Sequence, residues 1–205
     1  MKPHAFYLVT ESNLSKGRTN AEIVREAIKG GVDIVQLREK EWSKERYREE
    51  AKKLRKLCHT HEVLFVVNDY PDIAKEVGAD GLHLGQEDMP IAEARKIVGK
   101  MKIGKSTHSG EQALNAVKEG ADYISIGPIF PTRKKPNPVG VGLIRALAPV
   151  LKIPFVAIGG IKLENVDEVL SAGATSIAVI SAVVEAEDVR AATAAFAHKI
   201  HEVKL

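Results

Sequence analysis

Apolar residues along this chain recur in two alternating patterns: short continuous runs, and longer stretches with apolar positions three and four apart. A refrain marks the boundaries. Gly31-Val32-Asp33, Gly78-Ala79-Asp80, Gly120-Ala121-Asp122 and Gly173-Ala174-Thr175 each close a helical stretch and lead into the runs 34–37, 81–84, 123–126 and 176–179. Each glycine suits the left-handed residue that ends a helix. The intervals are too long for one strand-and-helix unit and fit two. The missing strands lie midway, at 6–9, 64–67, 101–104 and 155–158. Their apolar content is nearly continuous, as strands covered on both faces require.

Amphipathic helices are predicted over 20–29, 43–59, 71–77, 90–98, 109–119, 141–151, 163–172 and 187–203. Thr19 or Asn20, Ser43 and Ser109 suit N-caps, and Pro90 suits a first helical position. Strict strand-helix alternation at this length predicts a single (β/α)8 barrel of the TIM class, one domain over residues 1–205. An open doubly wound sheet needs fewer strands.

Composition narrows the function. Net charge is +3, from 30 basic against 27 acidic residues, and aromatics make up 5%. Neither a basic excess nor base-stacking rings point to nucleic acid. No apolar run approaches the roughly 20 residues that cross a bilayer. Cys58 is the only cysteine, so no intrachain disulfide forms, and a cytoplasmic setting is expected. It reads as a packing or surface residue. The sequence leaves a homo-oligomer open.

Active sites of such barrels sit at the C-terminal ends of the strands. Gln36, Arg38 and Lys40 alternate along an extended segment, so their side chains leave one face toward the barrel mouth. Arg38 suits bidentate binding of phosphate oxygens. Asp69 and Asp88 follow adjacent strands and could share Mg2+, a cation that takes two carboxylates with waters and phosphate oxygens. Asp69 also suits a turn before Tyr70-Pro71, and Asp88 an N-cap before Pro90. His83 is substrate-lining at most, and His108 is ambiguous. Glu39, Glu87 and Lys105 are expected to face outward or pair locally. The stretch 127–140 holds four of the nine prolines and sets Thr132, Arg133, Lys134 and Lys135 side by side, a basic loop suited to phosphate. Gly159-Gly160 and Ile180-Ser181 follow the last two strands, where barrels offer backbone amides to a phosphate.

Taken in order, Val35-Gln36-Leu37-Arg38-Glu39-Lys40, Asn68-Asp69, Gly85-Gln86-Glu87-Asp88, Gly127-Pro128-Ile129-Phe130-Pro131-Thr132 and Ala157-Ile158-Gly159-Gly160-Ile161 resemble the thiamine-phosphate synthase (thiamine-phosphate pyrophosphorylase) family. The resemblance implies a transferase that joins 4-amino-2-methyl-5-hydroxymethylpyrimidine diphosphate to a thiazole phosphate carboxylate. The products are thiamine phosphate, pyrophosphate and carbon dioxide. The implied path is dissociative, through a pyrimidine carbocation that the thiazole nitrogen captures. By the same resemblance Gln36, Arg38, Lys40 and Asn68 bind the pyrimidine diphosphate, with Lys135 capping its pyrophosphate. Asp69 and Asp88 hold a bridging Mg2+. Ser106 contacts the diphosphate or the ring, and Tyr7 lines the pyrimidine pocket. Thr132, Gly160, Ile180 and Ser181 bind the thiazole phosphate.

Two positions depart from the family pattern. Lys134 stands where a second threonine is usual, which leaves Lys134 and Lys135 as alternative pyrophosphate ligands, and Glu11 stands where aspartate is common. Rival readings are the sister thiazole tautomerases and a non-catalytic thiamine-phosphate sensor. Pro128 stands where tautomerases tend to carry a histidine, and Asn68, Asp69 and Asp88 favour the synthase.

Overall fold

Side-chain alternation decides what each strand buries, and here every strand buries both faces. The computed structural model describes residues 4–202. Strands β1 (Phe6–Val9), β2 (Ile34–Leu37), β3 (Leu64–Asn68), β4 (Gly81–Leu84), β5 (Lys102–Thr107), β6 (Tyr123–Ile126), β7 (Phe155–Ile158) and β8 (Ile177–Val179) form a closed barrel in sequence order. All neighbours are parallel, and β8 returns to β1 with Tyr7 opposite Ala178. Around it lie α1 (Asn20–Lys29), α2 (Lys44–Thr60), α3 (Pro71–Val77), α4 (Ile91–Val98), α5 (Gly110–Lys118), α6 (Gly140–Leu147), α7 (Val166–Ser171), α8 (Ser181–Val184) and α9 (Val189–His201).

Alternate residues separate two cores. Outward side chains such as Leu8, Val35, Phe65, Leu82 and Ile124 pack under the helices, with Phe6 stacked on Phe196 at 5.4 Å between ring centres. Inward ones, among them Tyr7, Ile34, Val66, Tyr123 and Val156, plug the barrel. Gly104 is required inside, because a Cβ there would lie 2.2 Å from Tyr123 Cζ.

The refrain has a physical basis. Gly31, Gly78, Gly120 and Gly173 all take positive φ, at 92°, 63°, 88° and 105°, the conformation glycine adopts without penalty. The aspartates that follow knit the barrel floor: Asp33 accepts from the Phe6 amide at 2.7 Å, Asp80 from Phe65 at 2.8 Å and Asp122 from Ile103 at 2.9 Å. In the fourth refrain, which lacks the aspartate, Ser176 Oγ accepts from the Ala5 amide at 3.2 Å. Thr19, Ser43 and Ser109 cap their helices, Thr19 within a full capping box with Glu22.

Several boundaries differ from expectation. Strand β5 runs on to Thr107 because its polar end still pairs with β6. Pro90 is the N-cap of α4, with the helix beginning at Ile91. Helices α6 and α7 are shorter than their apolar spacing predicts. The last predicted helix ends for the described residues at His201, and its expected end at 203 lies outside them. A 3-10 turn at Ser12–Leu14 and the short α8 have no counterpart in the expected elements.

Candidate active site

The upper half of the barrel interior is polar, and its groups form one connected chain. Gln36 Nε2 lies 2.7 Å from Tyr7 Oη, which is 3.2 Å from Tyr123 Oη. Tyr123 Oη is 3.1 Å from His83 Nδ1, and His83 Nε2 is 2.9 Å from Ser106 Oγ. Burial sets the protonation of this floor. It depresses the His83 pKa to about 4, with Lys105, Arg38 and Lys40 adding to the effect and Asp88 opposing it. It also lifts Tyr7 to about 12 and Tyr123 well above the ordinary phenol range. The floor is therefore uncharged at neutral pH.

Above it stands a charged rim. Arg38 and Lys40 lie beyond the end of β2 and part company there. Arg38 Nη1 reaches Glu11 Oε2 at 2.9 Å, whereas Lys40 Nζ bonds Asp69 Oδ2. Asp69 is held with φ at 66°, and its Oδ1 is buried with no hydrogen-bond partner. A left-handed backbone and an orphaned carboxylate oxygen on one residue are each costly, which points to a functional constraint. Burial raises the Asp69 pKa to about 6, the neighbouring Asp88 carboxylate raises it further and Lys40 opposes them. Burial also pushes Asp88 up, but the adjoining Asp69 carboxyl and the hydrogen bond accepted from the Gly85 amide prevail and hold it below the usual carboxylate range. Asp88 is thus a loop-bracing residue of the β4–α4 turn rather than a helix cap. The side-chain amide of buried Asn68 makes no hydrogen bond among the described residues, while Tyr47 Oη from α2 secures its backbone.

The donor set suits Mg2+. Among the described residues no group of three or more His, Cys, Asp or Glu is placed to hold a metal. Two carboxylates, one with a free buried oxygen, match a hard cation that takes its remaining ligands from water and phosphate.

The loop after β6 forms the opposite wall. It begins at a cis Gly127–Pro128 bond and is zipped to the β7 end, with Ile129 N donating to Ile158 O at 3.0 Å and Phe130 N to Gly159 O at 2.9 Å. Its three cations have different partners. Arg133 pairs with Glu185 at 3.1 Å and Lys134 with Glu11 at 3.1 Å, but Lys135 Nζ meets the neutral acceptor His108 Nε2 at 3.0 Å. An ammonium only donates, so Nε2 accepts and His108 Nδ1 donates to Gly127 O. Partial burial, then the Arg38 charge, pull the Lys135 pKa below its ordinary value. Thr132 is less open than expected. It forms a reciprocal turn with Lys135, whose amide donates to Thr132 Oγ1 at 3.0 Å. Gly160 has φ at 67°, and a Cβ there would come within 2.8 Å of Phe130 and Pro131. Ile180 is the N-cap of α8, and the first-turn amides at Ser181 and Ala182 have no intrahelical acceptor.

The structure thus gathers the expected residues at one end of the barrel. Tyr7, Gln36, Asn68, His83 and Ser106 make the floor. Arg38, Lys40, Asp69 and Asp88 stand on one side, and Thr132, Lys134, Lys135, Gly160, Ile180 and Ser181 lie on the loops after β6, β7 and β8. Glu39 neither faces outward nor pairs with a chain neighbour: it is buried and accepts from Ser12 and Asn20, brought to it from the β1–α1 segment, whereas Glu87 is exposed. Lys105 points away from the interior yet is only 6% exposed. Tyr123 is absent from the expected set, although its alternation with Ser125 in the refrain already places both inside. The contacts of Glu11 and His108 to the loop cross the mouth and have no local signature.

Residues 6–183 match the family model described as thiamine monophosphate synthase. The chain is 48% identical to the thiamine-phosphate synthase of Shouchella clausii (strain KSM-K16), over 98% of this chain and 99% of that protein. It is also 48% identical to the thiamine-phosphate synthase of Halalkalibacterium halodurans, covering 93% and 92% of the two chains. A thiamine phosphate pyrophosphorylase structure from Pyrococcus furiosus superposes with a TM-score of 0.91 at 43% identity, over 97% of this chain and 96% of that one. Matched over nearly its whole length by the family's motifs, relatives and fold, the chain belongs to the thiamine monophosphate synthase family.

Proposed function

We propose that this protein is a transferase that joins the pyrimidine diphosphate to the thiazole phosphate, releasing pyrophosphate and thiamine phosphate. The observation that carries the reading is the buried, partnerless Asp69 Oδ1, set beside Lys40 and Asp88 above a neutral polar floor. Such a rim suits a polyanionic leaving group, and such a floor suits a heteroaromatic ring. Relatives at 43% to 48% identity carry the synthase name, and neither the tautomerase nor the sensor reading is favoured.

In this mechanism Asp69 and Asp88 hold Mg2+, which when bound neutralises part of the pyrophosphate charge. Arg38, Lys40 and Lys135 bind the pyrophosphate oxygens as negative charge accumulates there during cleavage of the C–O bond. Arg38 leaves Glu11 to do so, and Lys135 approaches from the opposite wall. Gln36, Tyr7 and Asn68 orient the pyrimidine, and Ser106 donates a hydrogen bond from the floor. His83 is held neutral by burial, which leaves it unsuited to act as a base at neutral pH. Thr132, Gly160, Ile180 and Ser181 seat the thiazole phosphate, whose ring nitrogen then attacks the pyrimidine carbocation. No nucleophilic side chain is consumed.

No helix among the described residues is long and apolar enough to cross a membrane. A cytoplasmic setting is part of the proposal and is supported by Cys58, a buried free thiol. The test is direct. Purified protein given both substrates and Mg2+ should release pyrophosphate, and should release none when either substrate or the metal is withheld. Binding of the thiazole phosphate without any pyrophosphate release would instead support a sensor or tautomerase.

A further inference from the structure

The buried chain beneath the rim has a direction set by the number of protons each group owns. Gln36 Nε2 only donates, so Tyr7 Oη accepts from it at 2.7 Å. A phenol has one proton, and with the Gln36 donor as its other contact the buried Tyr7 hydroxyl has Tyr123 Oη, 3.2 Å away, as the one acceptor among the described residues to which it can donate. The Tyr123 proton in turn goes to His83 Nδ1 at 3.1 Å, which makes that nitrogen an acceptor. The neutral imidazole then carries its proton on Nε2 and donates it to Ser106 Oγ at 2.9 Å. Ser106 therefore receives a hydrogen bond from below and keeps its own proton. It stands half-buried near the C-terminal end of β5, with that proton free for an acceptor in the mouth.

We propose that Tyr123 is a positioning residue which, through the Nε2–H tautomer of His83, holds the Ser106 hydroxyl as a hydrogen-bond donor to an oxygen of the departing pyrophosphate. The identity of that acceptor rests on the synthase reading above; the orientation of the hydroxyl does not. Turning the Gln36 amide over reverses every bond. Its Oε1 would accept from Tyr7, His83 would carry its proton on Nδ1, and Ser106 would spend its proton on Nε2 with none left for substrate. Gly104 is part of the same device, since a Cβ there would lie 2.6 Å from His83 Nδ1 and 2.2 Å from Tyr123 Cζ. The absent side chain lets the phenol and the imidazole meet.

Nitrogen-15 spectra of the full-length, substrate-free protein labelled at histidine read the tautomer, with the His83 signals identified by their loss in His83→Gln. The Nε2–H form is expected, and the Nδ1–H form would overturn the proposal. Kinetics give a second reading that a packing role would not reproduce. Tyr123→Phe should lower kcat about tenfold, the worth of one hydrogen bond to developing charge, with little change in KM. Ser106→Ala should do at least as much, and the double variant should be no slower than Ser106→Ala alone. Additive losses in the double variant would show that Tyr123 does not act through Ser106. A wild-type chain that releases no pyrophosphate would sink the synthase reading, while the tautomer spectrum would still decide the orientation of Ser106.

Discussion

Lys134 Nζ lies 3.1 Å from Glu11 Oε2, so the two positions that depart from the family pattern meet each other across the barrel mouth. The same Glu11 oxygen accepts from Arg38 at 2.9 Å. One buried carboxylate from the end of β1 therefore neutralises two cations before any substrate arrives, and an incoming polyanion must compete with it. Glu11→Gln keeps the shape and removes the charge. It is expected to tighten binding of inorganic pyrophosphate about tenfold by calorimetry, through relief of anion-anion repulsion. Unchanged or weaker binding would show that Glu11 does not compete for these cations.

Lys135 is the loop cation that keeps its charge uncompensated. Its partner His108 is a neutral acceptor, whereas Lys134 and Arg133 each face a carboxylate. Lys135→Ala should therefore lower kcat/KM about a hundredfold, the loss of one charge aimed at the leaving group. Lys134→Ala should cost less than about threefold, as expected for an exposed ion pair. Steady-state rates for the two variants side by side check this, and the reverse ranking would make Lys134 the ligand.

The barrel was legible from the sequence because its signals are local and repeated. Continuous apolar strand runs, three-four helices and a glycine at each refrain all report on neighbouring residues, and the refrain aspartates brace the strand starts. The site was legible as far as strand ends go, since Gln36, Asn68, His83 and Ser106 lie where apolar runs break. Partnerships across the mouth were not. Whether Arg38 meets Glu11 and Lys40 meets Asp69, or both cations stay on one face, depends on the chain turning after Leu37, which no periodicity encodes. The turn that engages the Thr132 hydroxyl was hidden in the same way.

Gly160 joins two walls of the site. Its φ is 67°, and a Cβ at this position would approach the backbone oxygens of Phe130 and Pro131 to 2.8 Å, which leaves no soft group to yield. Gly160→Ala should destabilise the fold by about 2 kcal/mol or more, from left-handed strain together with the clash. Because the clash falls on the loop facing the thiazole phosphate, KM for that substrate should rise about tenfold in the folded fraction. Denaturant unfolding and initial rates measure the two effects, and a variant as stable as the parent would contradict the geometry.

Asp69 is held at a cost that the ligand-free protein does not need. Its carboxyl takes up a proton near pH 6 in the folded chain, against an ordinary value of 3.8, so the folded state binds more protons across that interval. Stability conferred on the protonated form is therefore complete below the ordinary value and is lost as pH rises through about 6. Asp69→Asn keeps the shape, tolerates the φ of 66° and has no charge to bury. Without Mg2+ at pH 8 it is expected to be more stable than the parent by about 1 to 2 kcal/mol, less than the full shift because Lys40 and Asp88 share the charge. The gain should vanish near pH 4. Turnover should fall at least about a hundredfold, because the buried oxygen that replaces Oδ1 or the amide beside it no longer carries charge to the metal and the leaving group. Thermal melts at the two pH values, paired with pyrophosphate release, test both halves together. A variant that is both less stable at pH 8 and still active would mean that Asp69 serves the fold and not the reaction.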